Sequence, residues 1–284
     1  MELKLIQVLF AQGKLPIRVN VIVPFELLKA VNNFKSNDPL RLRLGGAIIF
    51  ADGYLDSKTA ALQRPYSDDP ANMGKMNLSE VELADAVRQV LARGLQPTIH
   101  AMGDRAIDTA LKVIERSSKD VRFRVEQAAV LNPSLIKRLK GQNVVVSVQP
   151  RMFPTEFKVW KATEHLGKER AKCLHPLKTL LSEGIRVAGG SDCPMEPLNP
   201  LLGIQEAVLR ESYPEQRLTA KEALRMYTLD AAYCSGEESE KGSIEEGKLA
   251  DLTVFASDPE AVEKGKIKDI AIATVNVDGK ILQG

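Results

Sequence analysis

The sequence predicts an α/β fold: a parallel sheet with helical crossovers, followed by a small β element. Three observations lead there. Apolar strand segments alternate with helix segments from about residue 17 to residue 230. The strand segments are short and almost wholly apolar, as expected of strands covered on both faces. After Gly236 the pattern changes to short strands, with an Asp278–Gly279 turn that signals a hairpin. Six strand–helix units are countable, whereas a closed (β/α)8 barrel has eight.

Taken in order, Ile17–Val23 is rich in β-branched residues and reads as a buried strand. Pro24 breaks it, and Phe25–Phe34 reads as helical. Leu44–Phe50 is the next strand. Ala51–Leu78 is long, polar and punctuated by Gly and Pro, the character of a functional cover or a disordered loop. Ser79–Arg93 is a helix with a Ser79/Glu82 capping box, an apolar face of Val81, Ala84, Val87 and Leu91, and a stop at Gly94. Gln96–His100 is a strand; Gly103 turns the chain, and Asp104 is placed to cap the helix that follows. Val121–Glu126 is a strand, and Asn132 with Pro133 opens a short helix ended by Gly141. Val144–Val148 is a strand, Pro150–Cys173 irregular to helical, Pro176–Glu183 a helix and Arg186–Gly189 a strand. Leu201–Glu211 and Thr219–Leu229 are helices, the second with a Thr219/Glu222 capping box. Leu252–Phe255, Ile272–Val277 and Lys280–Leu282 are the late strands.

Composition narrows the function. The chain has 284 residues, 44% of them hydrophobic, enough for one large core. Its formal net charge is +2, with basic residues dispersed, so nothing points to nucleic acid or anionic lipid. No apolar run reaches spanning length, and Met1–Gly13 lacks the layout of a signal peptide. Cys173, Cys193 and Cys234 are an odd count without CxxC spacing, which reads as reduced thiols in a cytoplasmic protein. Only three histidines are present: His100, His165 and His175.

Chemistry gathers at the strand ends. Asp52 lies beyond the second strand, His100 at the third, Glu126–Gln127 at the fourth, Gln149 at the fifth, and Asp192 just past the sixth. In a barrel, all of these point into one mouth, where α/β enzymes present their reactive groups. Taken singly, His100 reads as an ordinary hydrogen-bonded histidine, and Asp192 equally as a cap or turn residue. Their shared position favours a joint role. His165 reads as a solvated helix residue and His175 as a capping or packing residue. Cys193 reads as a space-filling residue ahead of a soft ligand or nucleophile. Phe157 and Trp160 read as packing a loop against the barrel edge.

Longer motifs carry a resemblance. They are FADGYLDSKTAALQRPYSDDP (Phe50–Pro70), HAMGDRAID (His100–Asp108), RVEQA (Arg124–Ala128), SVQP (Ser147–Pro150), LLSEGIRVAGGSDCPMEPLNPLLGIQEAVLR (Leu180–Arg210) and GSIEEGKLADLTVF (Gly242–Phe255). With these, the sequence resembles the amidohydrolase superfamily, in its amidohydrolase-3, YtcJ-like branch, which includes N-substituted formamide deformylase. The likeness runs from about residue 40 to the end. It implies an incomplete TIM (β/α)8 barrel over residues 1–236, lacking its first two strands, and a partial β-sandwich over 237–284. It also implies metal-activated water acting on a small-molecule amide or formamide C–N bond. By position, His100 matches a metal ligand, and Asp192 matches the aspartate that binds metal and takes the proton from water. Asp52, Arg105, Gln127 and Gln149 fall where the substrate site is lined or supported.

The departures from the pattern are specific. The family's HxH strand is absent. Ile48 occupies a ligand position often held by a carboxylated lysine, and an alkyl chain cannot bind metal. Gln127 stands where a histidine ligand is usual, and glutamine is a poor ligand for zinc. His100 and Asp192 survive, whereas catalytic zinc generally has three protein ligands. Glu126 is a third candidate, although a regular strand turns it away from Gln127. Two functions follow. One is a metal-dependent amidohydrolase, with zinc the first choice of divalent metal. The other is a degenerate, inert relative that binds or regulates, or forms one part of a split enzyme; in that case the chain need hold no metal. A barrel short of two strands leaves exposed edges. Met1–Lys14, a second copy of the chain in a homo-oligomer, or a partner chain supplying the missing strands is therefore expected to cover the gap.

Overall fold

The computed structural model describes residues 2–283. Six strands form one parallel sheet in chain order: β1 (Val19–Pro24), β2 (Leu42–Phe50), β3 (Gln96–Ala101), β4 (Phe123–Gln127), β5 (Val144–Val148) and β6 (Arg186–Gly189). Each strand pairs with the next, and β1 and β6 are the two edges. Side chains alternate between the faces of such a sheet. The row Ile49, Ile99, Val125, Val146 and Val187 runs in register across five strands and lies in the main core. The next row, Phe50, His100, Glu126, Ser147 and Ala188, belongs to the opposite face, which carries the polar groups. The sequence therefore separates packing and chemistry by strand parity.

The crossover helices cover the apolar row. Helix α2 (Glu80–Leu91) is capped by the Ser79/Glu82 box and buries Leu83, Ala86, Val87 and Val90. The expected face was different: Val81 is 79% exposed. Two stripes of helical spacing overlap in this segment, and the bulkier one faces the core. Helix α3 (Asp104–Glu115) buries Ile107, Ala110, Leu111 and Ile114. Its N-cap is Gly103, not Asp104. Asp104 occupies the first turn, and its carboxylate accepts the Gln63 N–H at 2.8 Å. A side chain at Gly103 does not fit, because its Cβ would lie 2.0 Å from the Ala61 carbonyl oxygen. Burying one such Leu or Ile contributes roughly 2 kcal/mol, and the row-and-helix arrangement repeats around the sheet.

Asn132 caps α4 (Pro133–Leu139), with Pro133 in the first turn. Phe25–Val31 is a 3-10 helix, not an α-helix, and Pro24 before it makes no side-chain cap. The segment Pro150–Cys173 holds short helical pieces, including α5 (Ala162–Leu166) and α6 (Lys168–Ala171). Helices α7 (Leu177–Ser182), α8 (Pro200–Leu209) and α9 (Ala220–Tyr227) flank β6. The expected helix through Leu229 breaks at Thr228 and resumes as α10 (Leu229–Cys234). That break carries Tyr233 to the polar side of the sheet, where Arg122 and Arg186 stack on its ring.

The Ala51–Leu78 segment is irregular but fixed. Leu55, Ala60, Leu62 and Tyr66 are buried in a cluster with Met102, Val130, Leu166 and Leu174. Helix α1 (Glu2–Ala11) buries none of the residues whose burial is described, and its Leu5 is 60% exposed. Met1 lies outside the described residues. The late strands β7 (Leu252–Phe255), β8 (Ile272–Val277) and β9 (Lys280–Gln283) form a separate antiparallel sheet. Asp278 and Gly279 both take positive φ, as the tight hairpin turn requires. Arg18 beside β1 pairs with Asp251 at 2.5 Å and with Asp278, tying the small sheet to the large one. No helix among the described residues is long and apolar enough to cross a membrane.

Candidate active site

The site is built on the carboxyl ends of β2 through β6. Asp52 follows β2 and is fully buried. Its carboxylate accepts three backbone N–H groups: Ala61 at 2.8 Å, Met102 at 2.9 Å and Gly103 at 2.8 Å. One side chain thus joins the start of the long loop, its middle, and the turn into α3. Burial pushes the Asp52 carboxyl up, and the three donors pull against that shift.

His100 is the penultimate residue of β3 and is buried. Its Nε2 lies 3.2 Å from the Gly53 carbonyl oxygen and 3.9 Å from Asp52 Oδ1. The ring packs between Phe50 and Tyr54, each with its centroid 5.1 Å away. Glu126 stands in register with His100 on β4 and pairs with Arg124, two residues before it on the same face. Arg124 also donates to Ser147 Oγ at 3.3 Å. The candidate third ligand is therefore already bound to a guanidinium. Gln127 is buried and leaves the strand with φ of 69°. Gln149 is buried, and its Oε1 has no hydrogen-bond partner.

Asp192 follows β6 through Gly190 and Ser191, with φ of 55°. Asp192 is exposed; partial desolvation and the Glu126 charge raise its carboxyl, against a lowering from His100. It therefore shares the electrostatic field of the β3 and β4 strand ends. Cys193 beside it is exposed. Arg105 donates to the Gly74 carbonyl oxygen at 3.2 Å, turned toward the long loop.

The other histidines are paired. His165 Nδ1 lies 2.7 Å from Asp68, which also binds Lys58 at 2.9 Å. His165 thus ties α5 to the Ala51–Leu78 segment rather than standing free in solvent. His175 Nε2 lies 2.7 Å from Glu156, both side chains buried, with its ring stacked on Phe153. It packs as expected but does not cap, because α7 starts after Pro176.

The donor set does not fit a metal ion. Among the described residues, no group of three or more His, Cys, Asp or Glu side chains is arranged to hold one. Near His100, Asp52 is taken by three N–H groups and Glu126 by Arg124, which leaves Asp192. Ile48, in register with Thr98, brings an alkyl chain to the polar face. Sequence reading missed Tyr54 and Arg124. The alternation Arg124-x-Glu126 carried a signal for the second, because residues two apart in a strand share a face.

Comparison with known proteins places this arrangement. The model of the amidohydrolase family matches residues 2–283. YtcJ of Bacillus subtilis, an amidohydrolase by name, is 35% identical over 96% of this chain and 53% of its own length. N-substituted formamide deformylase of Arthrobacter pascens is 31% identical over 84% of this chain and 45% of its own length. A crystal structure described as an uncharacterized metal-dependent hydrolase from Pyrococcus horikoshii superposes with a TM-score of 0.84 at 32% identity, covering 93% of this chain and 55% of that one. The chain spans about half the length of the relatives it matches. With its sheet order, strand-end residues and full-length family match, the chain belongs to the amidohydrolase family.

Proposed function

We propose that this chain hydrolyses a non-peptide C–N bond of the amide or formamide type. The observation that carries the reading is Asp192, an acid at the strand ends with no side-chain partner among the described residues, in the electrostatic field of His100 in a family of hydrolases. Asp192 takes the proton from the attacking water, a general-base role that a raised carboxyl pKa favours, and returns it to the departing amine nitrogen as the C–N bond breaks. The carboxamides of Gln127 and Gln149 orient the substrate, whose N–H and C=O match their acceptors and donors. Asp52 and Arg105 hold the Ala51–Leu78 wall against which the substrate lies. The relatives' metal dependence extends to this chain only where donors beyond the described residues complete a site, so no step is assigned to a metal. Cys173, Cys193 and Cys234 are all unpaired, which supports a reducing, cytoplasmic setting. The free edges of β1 and β6 support a homo-oligomer or a partner chain that supplies further strands.

The test is amine release from a panel of N-substituted formamides and small amides, with zinc, manganese or cobalt in excess. Turnover by the chain, abolished in Asp192→Asn, is the expected result. No release from any substrate would overturn the proposal. A second reading, an inert binding or regulatory module, is favoured by Ile48 and Gln127, because shortening of a barrel does not change residues inside retained strands. On that reading Gln127→His with Ile48→Lys raises zinc affinity. An unchanged affinity counts against an eroded metal site.

A further inference from the structure

We propose that His100 acts in this chain as a positioning residue rather than a metal ligand: it fixes the Gly53–Tyr54 turn and sets Tyr54 as the substrate-facing wall of the mouth. The geometry begins with the ring nitrogen. A carbonyl oxygen only accepts, so Nε2 must carry the proton in its 3.2 Å contact with Gly53. Nε2, as the donor, offers no lone pair to a metal, and the lone pair left on Nδ1 finds no companion ligands: Asp52 and Glu126 are already bound, and no group of three donors is arranged among the described residues. The imidazole also packs against the rings of Phe50 and Tyr54, both tilted, with centroids 5.1 Å away.

The turn that His100 grips is tightly built. The Tyr54 carbonyl accepts the Thr59 and Ala60 N–H groups, each at 2.9 Å. The Tyr54 N–H donates to Thr59 Oγ1 at 2.9 Å. A side chain at Gly53 would place Cβ 2.1 Å from Thr59 Oγ1, so the backbone approaches that hydroxyl as only glycine allows. Asp52, one residue earlier, is fastened by its three N–H donors. The backbone around Tyr54 is held, yet Tyr54 is 47% exposed. A half-exposed phenol on a rigid turn, in the field of Asp192, Asp56 and Asp52, offers a neutral O–H donor and an apolar ring face at low entropic cost. It suits a neutral substrate with an apolar substituent and disfavours an anionic one, because those three carboxylates repel negative charge.

The inference concerns His100 itself and stands whether or not the chain hydrolyses amides. The direct test is nitrogen-15 NMR of the imidazoles, assigned with His165→Gln and His175→Gln variants. The expected spectrum shows His100 protonated at Nε2 and unmoved by added zinc. An Nδ1–H tautomer, or a zinc-induced shift at either ring nitrogen, would overturn the proposal. A second measurement is trypsin cleavage after Lys58, within the loop. Cleavage is expected to rise about tenfold in His100→Ala, the loss of one hydrogen bond, and to stay near wild type in His100→Gln, which can still donate. Equal cleavage in His100→Ala and wild type would contradict the positioning role.

Discussion

A carboxylate withdrawn from water is tolerated where hydrogen-bond donors replace the water. Asp52 meets three of them, drawn from two separate stretches of backbone. Asp52→Ala leaves those three N–H groups buried and unpaired. A loss of about 3 kcal/mol or more is expected in urea unfolding. Asp52→Asn, which keeps one acceptor oxygen, is expected to fall between that variant and wild type. Gly103→Ala tests the same junction by sterics, since the Ala61 carbonyl is backbone and cannot step aside. The strand-end positions of His100 and Asp192 were legible in the sequence, His100 at the close of an apolar run and Asp192 past the Gly-Gly-Ser that follows one. The commitments of their neighbours were not. Asp52 is drawn onto N–H groups from residues 61, 102 and 103, and no local pattern encodes that convergence. Tyr54 escaped notice because a tyrosine in a polar loop has no period; only the fold brings it against His100.

At the scale of elements, caps and stripes decide what forms. The Ser79 hydroxyl and Glu82 carboxylate close the start of α2 reciprocally. Ser79→Ala is expected to cost about 1 kcal/mol, read as a shift in the unfolding midpoint. Val81→Ser, on the exposed side of the same helix, is expected to be neutral within about 0.5 kcal/mol. The contrast checks which of the two overlapping stripes faces the core. Strand positions were readable throughout, because β-branched runs bounded by Gly and Pro have few other uses. The 3-10 segment after Pro24 and the break at Thr228 were not, since both depend on where the next element must dock. Thr228 interrupts a helix-forming run so that Tyr233 can meet Arg122 and Arg186.

Across the whole molecule, two sheets are held together partly by charge. Burial alone would raise the Asp251 carboxyl, but Arg18 and the Asp278 N–H bring it below its ordinary value. Asp108, bound by Lys112 and Arg138, is likewise lowered against its burial. A carboxyl depressed in the folded state stabilises above its unfolded pKa, near pH 4, and that contribution is lost as pH falls through the folded value. Stability is therefore expected to drop in acid below about pH 4, with a smaller drop in Asp251→Asn, as thermal unfolding against pH would show. The sheet itself leaves β1 and β6 as free edges, and their unpaired backbone invites association. Family membership was legible from motifs, whereas the donor set became countable only once each acid's partner was known. That count is the centre of the account: a structure this chain resembles is described as a metal-dependent hydrolase, and among the described residues of this chain no group of three or more donors is arranged to hold a metal. Elemental analysis after zinc loading and gel filtration tests it most directly. The account expects well under one tightly held metal per chain. About one retained metal per chain, lost in His100→Ala, would contradict it.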